Sequence, residues 1–219
     1  MSHTPRATAG RYRIYMNTLA LRLAVGDGRV DGIPVRALVS AGFTLLPRCA
    51  PLVLALGTRR AGILLPPGAA LVTAIAACDG RGAVWFEPSP PKAHPGIVEI
   101  TTDAIARFDI AAIFTIAPLA DRVAPGTPVV LLDEVPTRAT LRTATGPDRP
   151  IDLGSHFGLT VEGSTDEPGR DEECLVLADT GATLTHHEVL VGDARLPSAL
   201  RGLLAPLLRG AHLATVIAP

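Results

Sequence analysis

The sequence GTRRAGILLPPGAALVTAIAACDGRGAVWFEP, residues 57–88, has the most regular pattern in the chain. Residues 62–65 form a short apolar run that ends at two prolines, which predicts a buried strand. Residues 69–78 are good helix formers that end at an Asp-Gly pair, which predicts a helix and its stop. Residues 82–86 form a second apolar run, predicted as the next strand. Strand, helix and strand in this order indicate a crossover between two parallel strands.

The same pattern continues toward the middle of the chain. Residues 111–116 and 129–132 are further apolar runs, and Thr101 or Thr102 could cap a helix that extends to Arg107. Strands that are covered on both faces read as continuous apolar runs. We therefore predict an α/β fold with a mostly parallel sheet and helices on both faces.

The other parts of the chain give weaker signals. The remaining predicted elements are helical pieces at 35–43 and 51–57, separated by Pro47, a loop or linker rich in Gly, Pro, Asp and Arg at 137–171, helices at 186–191 and 197–208, and a strand at 213–217.

Composition and charge exclude several classes of function. The chain has 219 residues and a net charge of -1, with no basic stripe, so nucleic acid is not an expected partner. Its three cysteines, Cys49, Cys78 and Cys174, form no CxxC motif, which argues against a disulfide framework or a zinc site. Gly, Pro and Arg interrupt the apolar stretch 35–56, so no membrane span is expected. No secretion signal is recognised, and we expect a cytoplasmic protein.

Two groups of polar residues could carry chemistry. His186, His187 and Glu188 suggest metal ligands, but adjacent helical residues point about 100° apart, so the two histidines do not converge. A helix start with Thr185 as the N-cap and Glu188 completing a capping box is the favoured interpretation. Asp133-Glu134 follows a predicted strand and is interpreted as a solvated loop, at the end of a parallel strand where ligands bind.

Four other motifs have structural interpretations. The pattern Gly80-Arg81-Gly82 indicates a turn, Cys78 and the pair Trp85-Phe86 indicate core packing, and Ser155-His156 gives no triad geometry.

Residues 57–88, together with CLVLADTGATLTHHEVL at 174–190 and GLLAPLLRGA at 202–211, resemble the AMP-forming acyl-CoA synthetase, or adenylate-forming ligase, superfamily. The first stretch is similar to the turn, strand, helix and strand of its amino-terminal subdomain. The second lies where that family has its phosphate-binding loop and a following helix start. The third is similar to a helix and turn that precede a central strand.

The departures from the family pattern bear on activity. The resemblance implies a loop of Ser/Thr, Gly and Lys whose amides cradle ATP phosphates, and only Thr180, Gly181 and Thr183 remain here as candidate cofactor-binding residues. Residues 195–201 replace a family turn that carries an aromatic residue and a histidine. The family's metal-binding glutamate, ribose-binding aspartate and lid lysine would lie beyond residue 219. We therefore expect no catalytic residue, no metal site and no cofactor, with ATP and Mg²⁺ bound only if the degenerate loop still functions.

The resemblance also suggests how the chain is divided. Residues 1–10 are expected to be a disordered tail, 11–145 the α/β core, 146–172 a loop or linker, and 173–219 a remnant of the family's second subdomain. The implied function is a non-catalytic relative that acts as a binding or interaction subunit, with an acyl or aryl compound as a possible ligand. The alternatives are a component of a split acyl or aryl acid ligase completed by another chain, and an unrelated α/β structural domain.

Self-association is the final expectation. A mean hydropathy of +0.33 is high for a short chain without a membrane span. The leucines of 197–208 form a broad helical stripe that a missing subdomain would otherwise cover. The expected assembly is a homodimer, or a complex with a partner protein, in which this stripe contributes to the interface.

Overall fold

The computed structural model describes residues 14–15, 18–48, 59–79, 82–88, 99–153, 163–164 and 172–214. Its helices are α1 (Leu19–Val25), α2 (Val35–Arg48), α3 (Ala69–Ala77), α4 (Thr102–Arg107), a 3-10 helix (Ala117–Arg122), α5 (His186–Val191) and α6 (Ser198–Leu208). Its strands are β1 (Ile14–Tyr15), β2 (Arg29–Val30), β3 (Ile33–Pro34), β4 (Arg60–Leu64), β5 (Ala83–Trp85), β6 (Ile110–Thr115), β7 (Val129–Leu132), β8 (Arg138–Arg142), β9 (Arg149–Asp152), β10 (Gly163–Ser164), β11 (Glu173–Leu177), β12 (Thr183–Thr185) and β13 (His212–Leu213).

An eight-stranded mixed sheet organises the chain, with the order β12-β11-β5-β4-β6-β7-β8-β9. The five strands from β11 to β7 in that order are mutually parallel, while β12 at one edge and β8 and β9 at the other are antiparallel. The predicted α/β class is confirmed, and so is the parallel arrangement of the four apolar runs. Two smaller pairings complete the topology: β1 with β10, and β2 with both β3 and β13.

Alternate residues of the central strands face two separate hydrophobic cores. Ile63 of β4 and Phe114 of β6 are completely buried in the larger core, together with residues of α1, α2, α3, α5 and α6. Leu64 and Ile113, their neighbours in sequence, point to the smaller core on the other face, which includes Phe108 after α4. This alternation with a period of two is what pleated strands require when both faces are covered.

Two helix predictions needed correction. Helix α2 runs without a break from Val35 to Arg48, although a break at Pro47 was predicted. Pro47 is the last residue but one of the helix, so it removes a single backbone hydrogen bond and leaves about three turns intact. The predicted helical piece at 51–57 lies outside the described residues.

The prediction of a loop or linker is wrong for residues 138–142 and 149–152. These residues form β8 and β9, an antiparallel hairpin that extends the sheet from β7. In β8 the exposed Arg138 and Arg142 flank the buried Ala139 and Leu141. Charged residues on the solvent side concealed the short alternating pattern. The division into units 1–10, 11–145, 146–172 and 173–219 stays a prediction, although β11 lies inside the same sheet as β4 to β7.

The predicted role of the leucine stripe in an interface is wrong. Leu200, Leu203, Leu204 and Leu207 of α6 are at most 4% exposed and belong to the chain's own larger core. Burying such side chains against the same chain satisfies the apolar stripe, so these four leucines cannot also form a seam with a second copy. The strand predicted at 213–217 begins at His212, and residues 215–219 lie outside the described part.

Candidate functional site

The β11–β12 turn, residues 178–182, occupies the position of the expected phosphate-binding loop. The N–H of Gly181 donates to the Leu177 carbonyl at 2.7 Å, and the N–H of Leu177 donates to the Ala182 carbonyl at 2.9 Å. Gly181 has a φ of +72°, a conformation that glycine adopts without the steric cost of a side chain. A tight turn with a left-handed glycine therefore connects β11 to β12.

Side chains satisfy the remaining amides of this turn. The N–H of Thr180 donates to Asp179 Oδ1 at 2.7 Å, and the N–H of Ala182 donates to Thr180 Oγ1 at 3.2 Å. The amides of residues 180, 181 and 182 are therefore all engaged within the turn. A phosphate cradle works because successive amides point outward with no other acceptor. This turn offers a carboxylate at the place where such a cradle would receive an anion.

The three predicted cofactor-binding residues do not converge on one point. Thr180 and Gly181 are exposed in the turn, with the Thr180 hydroxyl already used as an acceptor. Thr183 is the first residue of β12, and its carbonyl accepts a hydrogen bond from Arg195 at 3.4 Å. Their assignment as a degenerate nucleotide site stays a prediction.

An open groove adjoins this turn at the carboxyl ends of β5 and β11. Its volume is about 630 Å³. It is lined by Phe86, Glu87, Glu99, Thr101, Asp103, Ala104, Arg107, Phe108, Ala178 and Asp179. Ligands of open α/β sheets bind beyond the carboxyl ends of the strands, so this groove is the candidate ligand site.

The groove has an aromatic wall. The Phe86 and Phe108 rings pack edge to face with their centroids 6.3 Å apart. The Arg107 guanidinium lies over the Phe108 ring, 4.9 Å from its centroid. Arg107 also reaches the β11–β12 turn, because a Cβ added to Gly181 would lie 3.4 Å from its Nη2. Helix α4 is thereby joined to the end of β11 through one basic side chain.

The described residues that line the groove carry mainly negative charge. Among them, Glu87, Asp103 and Asp179 bring exposed carboxylates to the rim, and Arg107 brings a guanidinium. Glu99 is bound to Arg122 at 2.6 Å, so this pair contributes little net charge. Like charges repel, and a groove of this sign disfavours phosphates and carboxylates while it favours neutral or cationic compounds.

The sequence did not point to this groove. Phe86 was interpreted as a core residue, and it is 8% exposed at the groove wall. Glu87 and Asp179 follow two strands that are far apart in sequence, and only the pairing of β5 with β11 brings them to the same edge. The available signal was that polar residues follow two predicted parallel strands, which places them at one end of the sheet.

Backbone N–H groups are the partners of His186 and Glu188 in the HHE segment. Thr185 caps α5, and Glu188 completes the predicted capping box by accepting the Thr185 N–H at 2.8 Å. That hydrogen bond, supported by Arg195, lowers the pKa of Glu188. His186 is 2% exposed, and its Nδ1 accepts the N–H of Leu19 at 3.1 Å. Within the described ranges, no three His, Cys, Asp or Glu side chains are placed to hold a metal ion.

Residues 195–201, which were predicted to replace a family turn, have a structural role. Arg201 donates to the carbonyls of Ala194 and Leu196, each at 2.9 Å. Arg195 binds Glu188 and Asp193, and its hydrogen bond lowers the pKa of Asp193. The two arginines fix the connection between α5 and α6, and neither lines the groove.

The structure also shows where the other candidate residues from the sequence lie. Asp133 and Glu134 are exposed after β7, as predicted, and do not line the groove. Cys78 and Trp85 are buried, which confirms their assignment to the core. The pair at 155–156 lies outside the described residues.

No family model and no curated protein matches the sequence, but several solved structures share its fold. CmiS6 aligns over 97% of this chain and 55% of its own, with a TM-score of 0.53 and 15% identity. The nonribosomal peptide synthetase FmoA3 (S1046A) aligns over 90% of this chain and 22% of its own, with a TM-score of 0.53 and 15% identity. The Mycobacterium tuberculosis fatty acyl CoA synthetase aligns over 91% and 44%, with a TM-score of 0.51 and 16% identity.

The chain has the fold of part of an adenylate-forming ligase. It spans about half or less of the length of these structures, and identities of 15–16% establish the fold and not the activity. The adenylate-forming ligase fold accounts for the parallel strands of the sheet. Among the helices of the described chain, none combines the length and apolar character that crossing a membrane requires.

Proposed function

We propose that the chain is a non-catalytic relative of adenylate-forming ligases that acts as a binding or interaction subunit in the cytoplasm. The observation that carries this proposal is the engagement of the amides of Thr180, Gly181 and Ala182 inside the β11–β12 turn, beside the Asp179 carboxylate. Transition-state stabilisation of transferred phosphates depends on positioned donors and positive charge. The turn supplies a satisfied backbone and a negative charge instead.

Nucleotide binding tests this proposal directly. Titration calorimetry of the purified chain with MgATP should give no heat of binding up to millimolar concentration, and acid-dependent exchange of pyrophosphate into ATP should stay at background. Two features of the turn oppose phosphate binding: its engaged amides and the negative charge of Asp179. The variant Asp179→Asn separates them, because the amide oxygen can still accept the Thr180 N–H while the charge is removed. If engaged amides exclude phosphate, this variant also fails to bind. Asp133→Asn, a neutralised carboxylate outside the groove, is the matched control.

Two outcomes would overturn the non-catalytic assignment. Micromolar affinity of the unmodified chain for MgATP, lost on Thr180→Ala, would show that the turn is a working nucleotide site. Pyrophosphate exchange that appears only when a second protein is added would favour a split ligase completed by another chain. The third alternative, an unrelated α/β domain, is disfavoured because the central strands are parallel and the fold matches that of adenylate-forming ligases.

The groove is the proposed place for a small ligand. Phe86 and Phe108 provide an apolar surface suited to an aryl or acyl group, while Glu87, Asp103 and Asp179 oppose a free carboxylate. An uncharged or amine-bearing aryl compound fits this lining better than an aryl acid does. Ligand-observed NMR with benzylamine, benzyl alcohol and benzoate should rank them in that order. A preference for benzoate would contradict the electrostatic argument.

Self-association is proposed through a surface other than α6. Val25 and Val191 are the last residues of α1 and α5, two helices that contact each other, and they are 72% and 64% exposed. Exposed valines on adjoining helices suit contact with a second copy or a partner protein. Light scattering should give twice 22.8 kDa, and Val191→Asp should restore the monomer. The control is Val135→Asp, an exposed valine after β7, and a monomeric unmodified chain would sink the homodimer.

A further inference from the structure

A buried polar junction fixes the start of α1. The first three helical N–H groups of α1 have no partner within the helix, as at every helix start. The N–H of Leu19 donates to His186 Nδ1 at 3.1 Å, and the N–H of Leu21 donates to Thr18 Oγ1 at 3.4 Å. The N–H of Ala20 and the hydroxyl of Thr18 donate to the carboxylate of Asp79.

The junction joins three elements that are distant in sequence. Thr18 is the N-cap of α1, Asp79 lies just beyond the end of α3, and His186 is the first residue of α5. Thr18, Leu19 and His186 are each no more than 2% exposed. Two of the three acceptors for α1 are therefore ionisable side chains contributed from outside the helix.

The hydrogen bonds determine the protonation state of His186. Because Nδ1 accepts the Leu19 N–H, the proton of the neutral ring must be on Nε2. Nε2 is buried and meets no hydrogen-bond partner among the described residues. A protonated His186 ring would need an acceptor at each nitrogen. It would instead meet the Leu19 N–H, a donor, at Nδ1 and no acceptor at Nε2 within the described part of the chain. Proton uptake is therefore incompatible with the docked position of α1.

We propose that this junction is a proton-compensated latch, in which proton uptake by His186 undocks α1 from α3 and α5 while proton uptake by Asp79 favours the docked form and offsets the release. Burial lowers the pKa of His186 to about 4. Burial raises the pKa of Asp79 to about 6, against the hydrogen bonds from Thr18 and Ala20, and the nearby Glu172 adds to the rise. The two acceptors thus respond to acid in opposite directions.

The sign of each response follows from linkage. When α1 undocks, His186 returns toward its ordinary pKa of about 6.5 and binds a proton more readily, so acidification from pH 6.5 to 4 favours the open form. Asp79 returns toward an ordinary pKa of about 3.8, so between pH 6 and 3.8 the docked form binds its proton more tightly. Between pH 7 and 5 the His186 effect on opening is about 20-fold and the Asp79 effect about 10-fold in the opposite direction.

The surrounding ionisable groups do not take over the role of His186 or Asp79 in the junction. On the elements packed against the junction they are Arg22 of α1, Cys78 after α3, Glu172, Glu173 and Cys174 around β11, and His187 and Glu188 of α5. Glu173 is bound to Arg60, Glu188 is bound to Arg195, and burial raises the pKa of the Cys174 thiol so that it stays neutral.

Hydrogen exchange of the Leu19 and Ala20 amides, corrected for intrinsic rates, tests the latch. The variants His186→Asn and Asp79→Asn each keep an oxygen that can accept the α1 N–H group. Each removes one of the two ionisable groups of the junction. Between pH 7 and 5, we expect opening to rise about 20-fold in Asp79→Asn, to fall about 10-fold in His186→Asn, and to change only about twofold in the unmodified chain. The double variant should show no pH dependence. Equal pH profiles for Asp79→Asn and the double variant would overturn the proposal.

NMR of the unmodified chain gives a second test that does not depend on the stability of any variant. The ring nitrogens of His186 should report a neutral ring protonated at Nε2 at pH 6, with a titration midpoint near 4. A midpoint near the ordinary 6.5, or a proton on Nδ1 at pH 7, would contradict the latch.

Discussion

The two ends of the central parallel strands use their polar residues differently. At the amino ends, Arg60 binds Glu173 through two hydrogen bonds of 2.7 and 2.8 Å that span the start of β5, and Thr185 caps α5. At the carboxyl ends, Glu87 and Asp179 stand exposed around a groove. One end of the sheet stabilises the chain, and the other leaves its charges available to a ligand. Polar substitutions should therefore cost folding stability at the first end and alter ligand preference at the second.

The largest effect is expected from Gly82→Ala at the amino ends. Gly82 has a φ of +69°, and a Cβ there would clash with the Glu173 carboxylate that Arg60 holds in place. We expect a loss of about 1.5–2 kcal/mol in the free energy of unfolding, from backbone strain and the displaced ion pair together. Urea denaturation measures it.

Gly210→Ala is the matched control for this substitution. Gly210 has a φ of +76°, and nothing lies within 4 Å of a Cβ built there. It should show the backbone strain alone, about 1 kcal/mol. Equal losses for the two variants would show that the Arg60–Glu173 pair contributes nothing at this end.

Thr185→Ala should have the next largest effect. It removes the hydroxyl that accepts the N–H of Glu188 at 3.2 Å, and it leaves a helix start without its cap. The expected loss is about 1 kcal/mol. The control is Thr183→Ala, which changes an exposed threonine two residues earlier in the same strand. Thermal unfolding should show that its loss of unfolding free energy is less than half that of Thr185→Ala. A larger loss for Thr183→Ala than for Thr185→Ala would contradict the capping role assigned to Thr185.

A smaller effect is expected from neutralising the arginine of the Arg60–Glu173 pair. The two side chains are 37% and 28% exposed, and the hydrogen bond that Arg60 donates to Glu173 raises the pKa of Arg60. After allowance for solvent screening, Arg60→Gln should lose about 0.5–1 kcal/mol. Arg59→Gln breaks the more exposed pair with Asp109 and should lose less than about 0.5 kcal/mol. In one molar salt, the losses of unfolding free energy in the two variants should become more nearly equal.

The smallest effect on stability is expected at the carboxyl ends. Asp179→Asn keeps an acceptor for the Thr180 N–H at an exposed turn, so unfolding should change by less than about 0.5 kcal/mol. The same variant should bind benzoate more readily because one negative charge leaves the groove. A large loss of stability without any change in ligand preference would reverse the roles assigned to the two ends.

The sequence predicted elements that depend on local pattern and missed those that depend on distant contacts. The buried strands, the parallel arrangement and the capping box of Thr185 and Glu188 follow from runs of a few residues. The strands β8 and β9 were missed because their solvent side is charged. The position of Pro47 in α2 was misjudged because proline is tolerated close to a helix end.

The candidate site could be predicted only in part. The tight turn at Gly181 was readable from a Thr-Gly pair, because glycine takes up the left-handed conformation. The engagement of its amides depends on the geometry of Asp179 and Thr180, which sequence spacing does not show. The junction of His186 with Leu19 joins residues separated by 167 positions, and no local pattern reports such a contact.

The order of strands in the sheet affects how the described part of the chain folds during synthesis. Strand β5 pairs on one side with β4, a near neighbour in sequence, and on the other with β11, which emerges much later. The pairing of β2 with β13 and the contact of α1 with α5 also require segments that emerge late. Until β11 has emerged, a nascent chain exposes one unpaired edge of β5, which is the kind of surface that attracts other strands. Long-range closure of this type slows folding, so this edge should stay open to aggregation until β11 has left the ribosome.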